Sequence, residues 1–228
     1  MLSDEAYQSK YSTAMKYGPA DAWFFVSGRD LSGECLNFSD SVEGVTTESE
    51  GLGDNWQEHL AIGVRRATIE QDSWFDDAAN STVATFVGAE QTERVVSWGY
   101  RTTAIGKQFP GAKGAFGGTS SPVASRADLH HCRATWTMTG NVEDGIILKN
   151  PAAETTASGN TEGASSQDNG ASTANGGAGY VQLTALTLGG YTSLQLKVRH
   201  SADDVTYADL VTFAVLTAAP ASERLTVT

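Results

Sequence analysis

Hydrophobic and polar positions alternate with a period of two through much of this chain, which sorts each segment's side chains onto two faces of a strand. In "ADLHHCRATWTMTG" (127–140), His130, Cys132, Ala134, Trp136 and Met138 share one face, and His131, Arg133, Thr135 and Thr137 share the other. The first set predicts the core side of a long strand. "HLAIGVRRATIEQDSWF" (59–75) starts in phase at Leu60, Ile62 and Val64, then shifts to Ala67 and Ile69 across Arg65 and Arg66. A one-residue slip swaps faces, so the break predicts a β-bulge at the arginine pair, with Thr68, Glu70 and Asp72 on the polar side beyond it.

Other stretches change the period. "DAWFFVSGRDLSGECLNFS" (21–39) predicts a hairpin-like strand pair turning at 28–30, and the acidic, aperiodic "EGVTTESEGLGDN" (43–55) predicts a loop. In "SWFDDAANSTVATFVG" (73–88), Phe75, Ala79, Val83 and Phe86 fall on one helical face. Ser73 with Asp76 resembles a capping box, so one helix is predicted there. "ERVVSWGYRTTAI" (93–105) predicts a strand, "GKQFPGAKGAFGG" (106–118) a Gly-rich hairpin or loop, and "VEDGIILKN" (142–150) a turn that closes a first domain over residues 1–150.

Residues 151–179 contain no Val, Ile, Leu, Met, Phe, Tyr or Trp. So little apolar surface cannot offset the entropy of ordering the backbone, so this segment is expected to be a linker or a long surface excursion. Beyond it, Leu194, Leu196, Val198 and His200 alternate with Gln195, Lys197 and Arg199, and turn residues recur at Gly189-Gly190 and 201–204. That spacing predicts a small antiparallel β-sandwich over residues 180–228, immunoglobulin-like or jelly-roll-like. The closing "RLTVT" reads as a strand with nothing after it, so the small domain is expected to be incomplete or to supply that strand to a partner.

Net charge is −12 with a pI near 4.6, and residues 1–58 carry eleven acids against Lys10, Lys16 and Arg29, a local sum of −8. Such a surface repels phosphate and argues against nucleic-acid binding. The start lacks the basic flank and apolar stretch of a signal peptide, and no run of 18 apolar residues occurs, so neither secretion nor a membrane span is expected. Cys35 and Cys132 then read as free thiols in a reducing compartment, and the triplets at Asn37 and Asn80 as chance matches to the glycosylation pattern.

Candidate chemistry is sparse. "GAKGAFGG" lacks the order of a phosphate loop, and no helix pattern follows it. In "HHC" (130–132) the two histidines point to opposite faces, so at most His130 and Cys132 converge, and a metal would need two further ligands from His59, His200, Cys35 or carboxylates; a packed strand is the plain reading. Asp203-Asp204 reads as turn chemistry, and no nucleophile motif is present. The residues therefore point to neither an enzyme nor a cofactor.

The order of elements carries more. A front hairpin "DAWFFVSGRDLSG", an acidic loop, a long strand into "DSWFDDAANSTVATFVG", strands "ERVVSWGYRTT" and "RADLHHCRATWTMTG", a polar spacer and "LQLKVRHSADDVTYADLVTF" together resemble the major tail proteins of long-tailed phages and related prokaryotic viruses. The likeness covers about residues 20–148 and 180–228 and matches the members with an added C-terminal sandwich. It implies a mainly β, antiparallel barrel or sandwich with one flanking α-helix. Copies would close into rings, hexameric in the family, stacked around a channel that viral DNA passes without specific binding. Six copies at −12 each carry −72, and within a Debye length of about 8 Å such a wall repels phosphates.

On this reading the channel-facing candidates are Glu70 and Asp72, with Arg66 beside them, and solvated strand positions are the plain alternative. Glu48, Glu50 and Asp54 in the acidic loop are candidates for ring-to-ring contact. Partners are further copies and other tail proteins, in a virion tail assembled in the host cytoplasm, with no cofactor and no membrane. The outer domain reads as decoration, or as a contact for a host surface glycan through Tyr191, Tyr207 and His200. The competing classes are a capsid decoration or other virion surface protein, and a carbohydrate-binding module.

Overall fold

The computed structural model describes residues 22–48, 59–86, 92–100, 103–116, 121–123, 130–150, 166–168, 170 and 176–227. The chain is mainly β. Its first part builds strands β1 (Trp23–Val26), β2 (Arg29–Asp30), β3 (Cys35–Glu48) and β4 (His59–Trp74), a short helix α1 (Thr82–Phe86), and strands β5 (Glu93–Gly99), β6 (Gly111–Phe116), β7 (Ser121–Val123) and β8 (His131–Met138). These strands pair antiparallel in the order β2-β1-β5-β6-β8-β4-β3, with β7 also on β8, and the path is not hydrogen-bonded closed. It is nonetheless curled. The Phe24 and Phe38 rings stack at 5.6 Å, so β1 lies across the core from β3, as in a sandwich.

Period two decides the core as predicted. Cys132, Ala134 and Trp136 of β8 and Ala67 and Ile69 of β4 are buried, while Thr68, Glu70 and Asp72 lie on the opposite face. His130 differs: it is exposed, just before β8 begins, with its ring edge-on to Phe75. The predicted bulge is present beside the arginine pair. Gly44 faces Arg65 but Thr46 faces Ala61, so β4 carries the extra residues just before Arg65.

Two local expectations are corrected, and a third resolves to one of its alternatives. Of the acidic stretch 43–55, residues 43–48 belong to β3, because they pair with β4 down to Glu48 opposite His59; residues 49–58 lie outside the described set. The helix is only Thr82–Phe86. Ser73 is a fully buried strand residue, and the Trp74 N–H bonds to the Glu34 carbonyl, which commits 73–74 to the ladder. Asp76 instead organises the approach, accepting from the Ala78 N–H at 2.8 Å, and Asn80 takes a positive φ of 68°. The Glu34 carboxylate then caps Thr82 through both its N–H and its hydroxyl. Finally, of the hairpin or loop expected over 106–118, the hairpin holds: "GAKGAF" is strand β6, paired antiparallel with the preceding β5 and also with β8.

The C-terminal part forms two further two-stranded sheets, from β9 (Gly177–Leu183), β10 (Lys197–His200), β11 (Ala208–Thr212) and β12 (Ala221–Val227). β12 pairs with β9 along its whole length, so the terminal strand is satisfied within the chain. Alternation splits β9: Tyr180 and Gln182 face the first sheet, whereas a Cβ at Gly179 would meet Phe213 and Val211 at 3.2 Å. Buried Val211 and Phe213 thus pack β11 against the other side of the β9–β12 pair. Three β layers result: the first sheet, β9–β12 and β10–β11. Of the polar segment, the described Gln167 lies against Gly106.

Candidate functional site: the open outer face of β3, β4 and β8

The outer face of the first sheet has two unlike halves. Over β5 and β6 it presents Val95, Ser97 and Gly111, and the C-terminal layer covers them. Over β8, β4 and β3 it is open and polar. Register places Ser39, Glu70 and Thr135 in one cross-strand row, Ser41, Thr68 and Thr137 in the next, and Asp72 between Asn37 and Arg133. The Ser41 and Thr68 hydroxyls meet at 2.9 Å.

The structure brings Arg66, Glu70 and Asp72 onto this one face, with Arg66 and Glu70 exposed and Asp72 half-buried. They are not electrostatically equivalent. Asp72 sits 3.3 Å from Arg133 Nε and 3.5 Å from His131 Nδ1, while Arg66 stands opposite Glu43. Glu70 has only Ser39 and Thr135 in register. Among the described side chains, three acids (Glu43, Glu70, Asp72) face two arginines (Arg66, Arg133), so the described surface is rich in hydroxyls rather than densely acidic. Arg133, His131 and Thr135 share this face, as the alternation of β8 predicts, but are not among the sequence candidates for the site. What alternation does not show is that Arg133 and His131 lie against Asp72.

Of the loop candidates, Glu48 ends β3, and Glu50 and Asp54 lie outside the described residues. Of the glycan candidates, His200 closes β10 opposite Ala208, next to Tyr207, whereas Tyr191 belongs to a separate turn closed by its N–H on the Leu188 carbonyl. The Arg199 guanidinium lies 5.7 Å over the Tyr207 ring and occupies one of its faces. Cys35 and Cys132 flank Ser73 in register, separated by a whole strand; both are free, and burial is the main cause that raises both thiol pKa values.

Asp203 is a turn former, as its sequence context suggests. Its carboxylate accepts from the Val205 and Thr206 N–H groups at 3.0 and 2.8 Å and from the Ser201 hydroxyl. These bonds, that from Thr206 first, favour the charged form and bring its pKa down to about 2 from 3.8. A lowered carboxyl pKa stabilises the folded turn above the unfolded value and loses that contribution as pH falls from about 4 toward about 2. An NMR titration of the Asp203 carboxyl should give a midpoint near 2, and a midpoint near 3.8 would mean the turn bonds do not form in solution.

No protein-family model matches the chain, and no curated protein matches it. Solved chains with a partial likeness include one in the tail of an empty gene transfer agent particle with C6 symmetry and one in the virion of the native gene transfer agent particle. Each has 16% identity and a TM-score of 0.42, covering 57% of this chain and 99% of its own.

Proposed function

We propose that this chain is a structural subunit of a viral tail tube, assembling with copies of itself into stacked, hexameric rings whose channel is lined by the open face of β3, β4 and β8. The observation that carries this reading is the chemistry of that face. Among the described residues of that face, serine and threonine rows with Arg66 and Arg133 each beside or opposite an acid offer passing phosphates no isolated cation, and Glu70 repels them. Edge geometry supports the same reading. Among the described residues, the 14-residue β3 pairs only with β4, leaving a long row of backbone donors and acceptors that a neighbouring copy can take up. The C-terminal layers cover the other half of the outer face, across the core from β3, and on this reading they are decoration on the outside of the tube. Viral DNA passes without specific binding, and other tail proteins start and cap the tube.

Negative-stain electron microscopy with light scattering tests this. Rings or tubes with a central hole are expected; a monomer at every concentration, even beside purified tail initiator, sinks the reading in favour of a virion surface protein or a carbohydrate-binding module. With tubes in hand, Glu70→Lys adds one lumen cation per subunit and should retain DNA in a filter-binding measurement where the parent does not. Equal retention would remove this face from the lumen.

A further inference from the structure

The β9–β12 pair has contacts on its inner side that a tethered appendage does not need. The Glu143 carboxylate accepts from the Tyr180 hydroxyl and from the Arg224 guanidinium, with the second bond from Arg224 Nε at 2.9 Å. The guanidinium also lies 5.8 Å over the Tyr180 ring, and the Arg224 and Glu143 side chains are only 19% and 27% exposed. Two residues further along β9, Gln182 accepts from the Gly28 N–H at 2.6 Å and donates to the Val95 carbonyl and the Ser97 hydroxyl, both at 3.2 Å. At the first point, the Tyr180 ring, opposite Arg224 in register, also rests on Gly111, where a Cβ would come within 2.8 Å of it.

We propose that Glu143, Tyr180, Arg224 and Gln182 form a two-point lock that fixes β9–β12 as the middle layer of the molecule, so that β10–β11 is carried rigidly on the first sheet and is released only when the lock opens. The inference stands apart from the tube reading, since every contact lies within one chain. The two points differ in chemistry. Glu143 and Arg224 meet in a partly desolvated ion pair, in which removing one partner leaves the other charge without its counterion and is costly. Gln182 completes neutral bonds that a short apolar side chain removes at smaller cost. Opening the lock would uncover Val95, Ser97 and Gly111, turning an internal contact into surface available to another strand pair. The lock therefore also keeps this half of the outer face from docking a neighbour.

Hydrogen exchange of the full-length protein, followed by mass spectrometry, separates local release from general unfolding. Peptides spanning 177–183 and 221–227 report the lock, and 131–138 in the core strand serves as the internal reference. Glu143→Gln should speed exchange in the two reporters by about tenfold or more with the reference unchanged, and Gln182→Ala should do so to a smaller degree. The reversed pair, Glu143→Arg with Arg224→Glu, should recover part of the lost protection where each single reversal does not. Unchanged reporters in Glu143→Gln would overturn the proposal. So would a reference that speeds up in step with the reporters in both Glu143→Gln and the milder Gln182→Ala, because the layer would then have no separate release.

Discussion

Trp136→Ala should destabilise the protein by about 3–5 kcal/mol, the range for emptying a large aromatic site in a packed core. Trp136 is fully buried on β8, packed 6.0 Å from the Phe86 ring of α1, so its loss opens a cavity and removes the helix's contact with the sheet. Trp136→Phe isolates a second contribution. Trp136 Nε1–H donates to Gln71 Oε1 at 3.2 Å, and Gln71 Nε2 donates to the Ser73 hydroxyl at 2.7 Å, forming a buried polar ladder within an apolar core. Phenylalanine fills much of the volume but leaves the Gln71 oxygen without its donor, which costs about 1–3 kcal/mol. Urea unfolding at constant m-value measures both. If Trp136→Phe shifts the midpoint no more than a conservative core swap does, the ladder contributes nothing beyond packing.

Gly28→Ala should be nearly as damaging, although it adds only a single methyl group, because Gly28 is buried in its turn. Ser27 and Gly28 form the two-residue turn between β1 and β2, with φ of 51° and 77°, and the left-handed region penalises any Cβ by about 1–2 kcal/mol. Tertiary contact adds more. A Cβ there would lie 2.5 Å from both the N and the O of Ala221, and these are backbone atoms, so Ala221→Gly gives no relief. Moving apart also weakens the Gly28 N–H bond to Gln182, worth about 0.5–1.5 kcal/mol. Together these reach about 3 kcal/mol, or a drop in Tm of about 6–12 °C for a chain of this size. Gly140→Ala is the control, because a Cβ there meets nothing within 4 Å. A Gly28→Ala shift no larger than the control's would show that β12 does not sit against the turn.

The residue pattern along the chain encodes what is local. It placed Cys132, Ala134 and Trp136 inward, sent Glu70, Asp72 and Arg66 to the open face, put a bulge beside Arg65 and made Asp203 a turn former. Each is a local property, since alternation assigns a face wherever a strand forms and a carboxylate two or three residues from free N–H groups caps them without help. Which strands form, and what covers each face, is not local. Residues 43–48 became strand because β4 offered a ladder to pair with, and Ser73 left the helical pattern because β3 and β8 hold it on both sides. Only the tertiary structure set Arg133 and His131 against Asp72, leaving Glu70 as the acid of that face without a cation in register. It alone brought Arg224 to Glu143, 81 positions away, and Gln182 to Gly28, 154 positions away. Contacts at such separations leave no periodic trace in the sequence, because they depend on how whole sheets stack rather than on how neighbouring side chains alternate.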